Sequence, residues 1–171
     1  ARFESTEKVP VAFIAAGPWL PGVVGMNTLD FYTFPDNFFR AHYSLLERFP
    51  DAIWLPGFWV EYGTAAEPSA FGAKVHFHAD RPPTIFPLSV STEELARAPI
   101  PDPYLDGLLA MTLRRYLNLE ARLTAEGLGI HMVASRGPLA IAAKLLGLNL
   151  FLDRLDKNDP SLLLLLDRLS E

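Results

Sequence analysis

The stretch DAIWLPGFWVEYGTAAEPSAFGAKV, residues Asp51–Val75, guides the interpretation of the whole chain. It begins with a short apolar run, Ala52–Leu55, which is typical of a strand covered on both faces of a sheet. Pro56 and Gly57 interrupt this run, and aromatic and polar residues follow them. We predict a loop there, at the end of a strand, where α/β proteins commonly hold their functional sites.

Two further apolar segments, 9–14 and 129–134, predict strands that alternate with helices. Ala15–Gly22 is predicted to be an uncharged loop, and residues 72–78 and 84–86 a small hairpin. Helices are expected over residues 34–49, 91–98, 103–126, 138–146 and 159–169, from capping residues and apolar periodicity.

The apolar periodicity also predicts which face each long helix buries. The first helix is expected to bury Phe38, Ala41, His42, Leu45 and Phe49. The long central helix is expected to bury Leu105, Leu108, Leu109, Leu113, Tyr116, Leu117 and Leu123. The last helix is expected to bury Leu162, Leu163, Leu166 and Leu169.

Alternating strands and helices of this kind predict an α/β fold with parallel strands. We interpret residues 1–171 as the N-terminal part of a (β/α)8 TIM-type barrel, holding about its first three βα units and a small β-hairpin insertion. The second half of such a barrel is absent from the sequence. The leucine run 162–166 exceeds what three strands can cover, so we expect a homo-oligomer or association with the missing barrel half.

Composition narrows the classes of function. The net charge of −5 and the absence of a basic run argue against nucleic-acid binding. The chain has no cysteine, which excludes disulfides, thiolate metal ligands and a cysteine nucleophile. Residues 9–29 carry no charge, but their prolines and glycines argue against a membrane span. The charged first residues show no signal peptide, and we expect a cytoplasmic protein.

Four stretches together resemble the front half of the uroporphyrinogen decarboxylase superfamily in order and spacing. They are VPVAFIAAGPWLP, RFPDAIWLP, EPSAFGAKV and ASRGPLAIAAKLLG, the last followed by FLDRLDKNDPSLLLLLDRL. The resemblance implies a (β/α)8 barrel whose site lies at the carboxyl ends of the strands. It covers nearly all of this chain and about half of the family's domain.

The sequence departs from the decarboxylases at three places that the resemblance marks as functional. Their arginine-rich loop after the first strand corresponds to Ile14–Leu20, which has no arginine. Their aspartate after the second strand corresponds to Leu55–Trp59, which has no acid. Their tyrosine after the third strand corresponds to Lys144. A polyanionic tetrapyrrole needs cationic partners, so these departures argue against uroporphyrinogen as substrate.

The corrinoid-linked methyltransferases of the superfamily are the better match. The segment containing Glu67 is similar to their EAEAMGAKV-type segment. In that branch a zinc held by histidine and cysteines activates a thiol acceptor, and those ligands lie in the second half of the domain. The resemblance therefore implies a small-molecule or corrinoid-protein substrate. It implies no metal site in this chain, and corrinoid and zinc only together with the missing half.

The candidate substrate-binding residues follow the predicted strands. They are Trp19, Trp59, Glu61, Glu67, Ser135 and Arg136. Each has a structural alternative: capping or ion pairing for the acids and the arginine, and packing for the tryptophans. No catalytic residue is identified.

Three hypotheses of function remain open. The first is a methyltransferase-like enzyme, complete only with its second half, which transfers a one-carbon group involving a corrinoid or methoxylated substrate. The second is a divergent uroporphyrinogen decarboxylase. The third is a catalytically inactive truncated or split chain that acts through self-association.

Overall fold

Short parallel strand pairs and the helices between them organise the chain. The structure is a computed structural model that describes residues 12–14, 17–55, 58–128 and 130–170. Within these ranges the strands are β1 (Ala12–Ile14), β2 (Ile53–Leu55), β3 (Phe58–Val60), β4 (Val75–His76), β5 (Thr84–Ile85) and β6 (Ile130–Val133).

Helices make up most of the described residues. They are α1 (Leu20–Val23), α2 (Thr28–Thr33), α3 (Pro35–Arg48), α4 (Ala66–Ala70), α5 (Thr92–Arg97), α6 (Gly107–Ala125), α7 (Pro138–Leu146), α8 (Leu148–Asp156) and α9 (Pro160–Arg168). Among them, none is long and apolar enough to cross a lipid bilayer.

The strands form three pairs. β1 lies parallel to β2, with Phe13 opposite Trp54, and β3 lies parallel to β6, with Val60 opposite Val133. β4 and β5 form the antiparallel hairpin that the sequence predicts. The α/β class is thereby confirmed as a mixed, mostly helical fold, although the described strands do not join into one continuous barrel wall.

Two apolar clusters support these elements. The first lies beneath the parallel pairs and includes Leu20, Phe31, Tyr32, Phe38, Leu45, Val60, Tyr62 and Leu123. The second joins the C-terminal helices to α5 and includes Leu95, Ile141, Leu145, Phe151, Leu162 and Leu165. Since α2, α3 and α6 all enter the first cluster, that cluster positions the loops that follow the strands.

Two segments predicted as loops are regular structure. Phe58–Val60 is a strand, because its apolar residues pair with β6 after the Pro56-Gly57 interruption. The end of the predicted loop Ala15–Gly22 belongs to α1, which begins at Leu20, and α2 follows in a segment for which no element was predicted. The sequence did hold a signal for α2: the Asn27 side chain accepts a hydrogen bond from the Asp30 backbone N–H at 2.8 Å, as an N-cap residue does.

The predicted buried faces need correction in three helices. α6 begins at Gly107 rather than at residue 103, so Leu105 precedes it and is 77% exposed. Leu117 is also exposed, because the buried stripe of α6 runs through Leu108, Thr112, Arg115, Leu119 and Leu123.

In α9 the buried residues are Leu162 and Leu165, whereas Leu163 is 54% exposed. A three-residue step follows the helical period, and consecutive leucines cannot share one face. In α3 the prediction is confirmed for Phe38, Ala41, His42 and Leu45, but Phe49 is exposed at the end of the helix.

The start of α6 is fixed by a contact with α4. The Leu108 backbone N–H donates to Ser69 Oγ at 2.8 Å, which caps α6 from a neighbouring helix. Gly107 has a φ of +53°, and a Cβ there would lie 2.6 Å from the Ala70 backbone nitrogen. The close approach of α4 and α6 therefore requires glycine at this position.

Gly107→Ala should lower the free energy of unfolding by about 2–4 kcal/mol, from backbone strain and the clash with α4. Gly127→Ala is the matched control, because Gly127 also has a positive φ, +70°, but nothing within 4 Å of an added Cβ. It should cost only about 1 kcal/mol. Urea denaturation of both variants measures the difference, and equal losses would contradict the proposed α4–α6 contact.

His42 is a buried histidine of the core, as the sequence suggests. Its Nδ1–H donates to the Phe38 carbonyl at 2.9 Å, and its ring packs on Phe38 at 4.4 Å between ring centres. Burial lowers the pKa of His42 from 6.5 to about 4, and the Arg115 cation lowers it further, while the bond to Phe38 offsets part of this shift.

The lowered pKa of His42 predicts a pH-dependent stability. Between pH 6.5 and about 4 the unfolded chain binds a proton that the folded chain does not, so folding stability falls as the pH falls through this window. The loss attributable to His42 should reach about 3 kcal/mol. His42→Gln should remove this part of the pH dependence, whereas His76→Gln, at an exposed histidine, should retain it. Parallel urea titrations at several pH values test the prediction, and unchanged pH dependence in His42→Gln would refute it.

Candidate functional site

The loops after β1, β3 and β6 converge on one polar cluster. Gly17 follows β1, Glu61 directly follows β3, and Arg136 follows β6. The carboxyl ends of β3 and β6 lie side by side, because these two strands are parallel. The hydrogen bond from the Gly17 N–H to Glu61 brings the loop after β1 to the same side. Carboxyl ends of parallel strands are where α/β proteins place ligand sites.

Glu61 is the centre of the cluster. Its side chain is only 5% exposed. Oε1 accepts a hydrogen bond from the Gly17 backbone N–H at 2.9 Å, and Oε2 pairs with Arg136 Nη2 at 3.3 Å. The Arg136 side chain is 31% exposed, so the buried carboxylate is covered by a cation that faces solvent. The pair keeps Glu61 from being a buried charge without compensation.

Glu67 holds the backbone beside that cation. It lies in the first turn of α4, and its Oε1 accepts a hydrogen bond from the Arg136 backbone N–H at 2.6 Å. Its Oε2 is buried and has no hydrogen-bond partner among the described residues. Arg136 therefore connects two buried carboxylates, one through its main chain and one through its guanidinium group.

Tyr32 is a member of the cluster that the sequence did not indicate. Its side chain is fully buried, and its hydroxyl has no partner in the described part of the chain. A Cβ on Gly17 would lie 2.5 Å from the Tyr32 hydroxyl and 2.6 Å from Glu61 Oε1, so both oxygens border the same glycine. Burial, and then the Glu61 carboxylate, raises the pKa of Tyr32 well above its usual range. Tyr32 is thus a neutral donor.

Arg115 contacts the main chain of Tyr32. Its guanidinium group donates to the Tyr32 carbonyl near the end of α2, where the helix dipole favours a cation. The same group lies over the rings of Tyr62, at 4.4 Å, and Phe38, at 4.8 Å. Burial lowers the pKa of Arg115, and the two aromatic faces offset part of the cost of burying the charge.

The structure separates the six predicted site residues. Glu61, Glu67 and Arg136 lie together, whereas exposed Ser135 makes only a weak contact, from its hydroxyl to the Arg136 carbonyl at 3.4 Å. Trp59 is half-buried within β3. These positions leave the predicted substrate-binding role as a hypothesis.

Trp19 lies elsewhere, in an open apolar cavity of about 460 Å³. The cavity is lined by Phe13, Trp19, Val23, Arg48, Phe49, Ala52 and Trp54. It contains none of the carboxylates of the polar cluster. Trp19 therefore does not share this cavity with Glu61.

The described residues do not supply a metal centre. Among them, no three His, Cys, Asp or Glu side chains lie close enough to hold a metal ion. Glu61 and Glu67 alone, with their oxygens bonded to Gly17 and Arg136, do not match the ligand set of a zinc site. The groups of the cluster are suited to ligand binding: a partly exposed guanidinium group, two carboxylates and a buried phenol.

Comparison with known proteins gives one informative likeness. No protein-family model and no curated protein sequence matches the chain. Among solved structures, a methyltransferase from Methanosarcina mazei superposes on 96% of this chain with a TM-score of 0.65 and 20% sequence identity. The match covers 48% of that protein, so the chain spans about half its length. At this identity the likeness shows a shared fold.

Gly17→Ala should disrupt the polar cluster, because the added methyl group would displace both Glu61 and the Tyr32 hydroxyl. We expect the free energy of unfolding to fall by about 1–3 kcal/mol, through overpacking and loss of the bond to Glu61. Gly22→Ala is the control, since Gly22 lies in α1 with nothing within 4 Å of an added Cβ. It should stabilise the chain slightly. Thermal unfolding distinguishes the two, and a neutral Gly17→Ala would contradict the close contact.

Proposed function

We propose that this chain is the N-terminal part of a barrel enzyme of the uroporphyrinogen decarboxylase superfamily, of its methyltransferase-like type. The proposed activity is transfer of a one-carbon group involving a corrinoid or methoxylated substrate, by the protein completed with its second half. The observation that carries the proposal is the fold shared with the methyltransferase from Methanosarcina mazei over 96% of the chain. The four stretches that resemble the superfamily support it independently.

The polar cluster fits a site at the mouth of such a barrel. Arg136 and Glu61 lie after the carboxyl ends of parallel strands, which is where barrel enzymes bind their substrates. In this proposal Arg136 contacts the substrate, and Glu61 and Glu67 hold its guanidinium group and its main chain in place. The zinc ligands and most corrinoid contacts belong to the second half in this proposal.

A divergent decarboxylase is less well supported by the geometry. A polyanionic tetrapyrrole needs several converging cations, whereas the described cluster presents Arg136 to solvent between two buried acids. The nearby cation Arg115 is buried among aromatic rings and bonded to Tyr32. The pattern of charge therefore favours a ligand with fewer anionic groups.

Self-association is the second candidate function, and a specific observation favours it. Six leucines on the C-terminal helices α8 and α9 are exposed: Leu148, Leu150, Leu152, Leu155, Leu163 and Leu164. Exposed apolar side chains on adjacent helices are typical of a surface covered by another polypeptide. A homo-oligomer or the missing barrel half would each cover them.

Binding of aquocobalamin to the full-length protein tests the first candidate. Titration followed by the visible absorbance of the corrinoid should show saturable binding. Arg136→Met should weaken it by about tenfold or more, the equivalent of one lost charged contact. Arg122→Met is the control, because Arg122 forms an exposed ion pair with Asp36, about two helical turns along α6 from Arg115, and should leave affinity unchanged.

Two outcomes would count against this reading. No spectral change with the full-length protein would refute the corrinoid proposal. A protein that binds no corrinoid but elutes as a dimer in gel filtration would support the self-association candidate in its place.

A further inference from the structure

The Tyr32 hydroxyl is the unexplained group of the polar cluster. Burying a hydroxyl without a hydrogen bond destabilises a protein, so such groups normally have partners. Tyr32 has none among the described residues, and its ring is fixed by Tyr62, Phe31 and the bond from Arg115 to its carbonyl. The packing thus places the Tyr32 hydroxyl, a hydrogen-bond donor, beside the same glycine as Glu61, although the hydroxyl forms no hydrogen bond among the described residues.

The contact between Glu61 Oε2 and Arg136 explains why a further hydrogen-bond donor near Glu61 is useful. Its salt-bridge partner, Arg136, is partly exposed and pairs with Glu61 at 3.3 Å, a long distance for a charged hydrogen bond. The Arg136 side chain is 31% exposed, and α7 begins two residues later with no acid in its first turn. This surface favours an anionic group.

An anion that draws Arg136 away would leave Glu61 as a buried charge with the Gly17 N–H as its remaining donor among the described residues. Such a loss of compensation is strongly unfavourable. The Tyr32 hydroxyl borders the same glycine as Glu61 Oε1, so it is placed to replace Arg136 as a donor if the carboxylate rotates toward it. Gly17 has no side chain that would stand between the carboxylate and the hydroxyl.

We propose that Tyr32 is a positioning residue that donates a hydrogen bond to Glu61 when the Arg136 guanidinium group is engaged by a carboxylate or phosphate group of the substrate. The inference takes the location of the site from the proposed function, but it does not depend on corrinoid or methyl-transfer chemistry. It names an anionic substrate class, and it gives a role to the unpartnered hydroxyl.

A double-mutant cycle tests the exchange of partners without any ligand. In the wild-type background Tyr32→Phe removes an unsatisfied hydroxyl and should leave Tm unchanged or raise it by up to about 4 °C. In the Arg136→Met background the hydroxyl has become the partner of Glu61, so Tyr32→Phe should lower Tm by about 2–4 °C. In the Arg122→Met background, Tyr32→Phe should behave as it does in the wild type.

The reversal of sign is the decisive result, since a purely structural tyrosine would have the same effect in every background. An equal effect of Tyr32→Phe with and without Arg136 would overturn the proposal. A loss of stability from Tyr32→Phe in the wild type would also overturn it, because the hydroxyl would then already have a partner in the resting protein.

Carbon-13 NMR of protein labelled at tyrosine Cζ gives a spectroscopic readout in the wild type, where folding is not in question. The chain has five tyrosines, and Tyr32→Phe identifies the Tyr32 signal. Sodium phosphate, compared with sodium chloride at equal ionic strength, should move this signal downfield, in the same direction as Arg136→Met does. A Tyr32 signal that is insensitive to phosphate would refute the anionic substrate class. A signal that is insensitive to Arg136→Met would refute the exchange itself.

Discussion

Burial of the Glu61 carboxylate is the constraint on which the site depends. A buried carboxylate is tolerated only with donors around it, and the donors to Glu61 come from two other loops: the Gly17 N–H after β1 and the Arg136 guanidinium after β6. The β1–β2 and β3–β6 pairs are separate among the described strands. Glu61 therefore links them at their carboxyl ends by hydrogen bonds rather than by a shared ladder. Its charge sets the relative position of three loops, and that requirement explains why Gly17 carries no side chain.

The helices act on the site through specific polar contacts as well as packing. α6 is capped by Ser69 of α4, and the same short helix carries Glu67, which bonds to the Arg136 main chain. α6 also supplies Arg115, which fixes the end of α2 and thereby the ring of Tyr32. One helix, α6, therefore supports the cluster through two separate contacts.

A change at the α4–α6 contact would affect Arg136 through Glu67, while a change at Arg115 would affect Glu61 through Tyr32. Residues remote from the cluster determine its geometry in this way.

Local signals made part of this structure predictable from sequence. The capping box of α5 at Ser91 and Glu94 is formed as expected, and Pro138 and Asp159 mark the starts of α7 and α9. The proximity of Glu61, Glu67 and Arg136 is predictable because residues after strands meet at one edge of a parallel arrangement. A proline and a glycine at 56–57 predict the end of a strand, so β3, which begins at Phe58, is not predictable in the same way. Tyr32 and Arg115 could not be found in this way: both lie on helical faces that look like core, and only the tertiary contacts show one hydroxyl against a carboxylate and one guanidinium group between two rings.

The carboxylates of the polar cluster have partners within the described residues, whereas the apolar surfaces are exposed to solvent. Within the described residues, the carboxylates of Glu61 and Glu67 each have at least one short or charged partner, so the cluster is formed by contacts internal to this chain. The cavity beside Trp19 and the exposed leucines of α8 and α9 are open to solvent, at a cost that grows with apolar area. The carboxylate contacts of the polar cluster are thus formed within the described residues, whereas the apolar surfaces at Trp19 and on α8 and α9 would be stabilised by burial against further polypeptide.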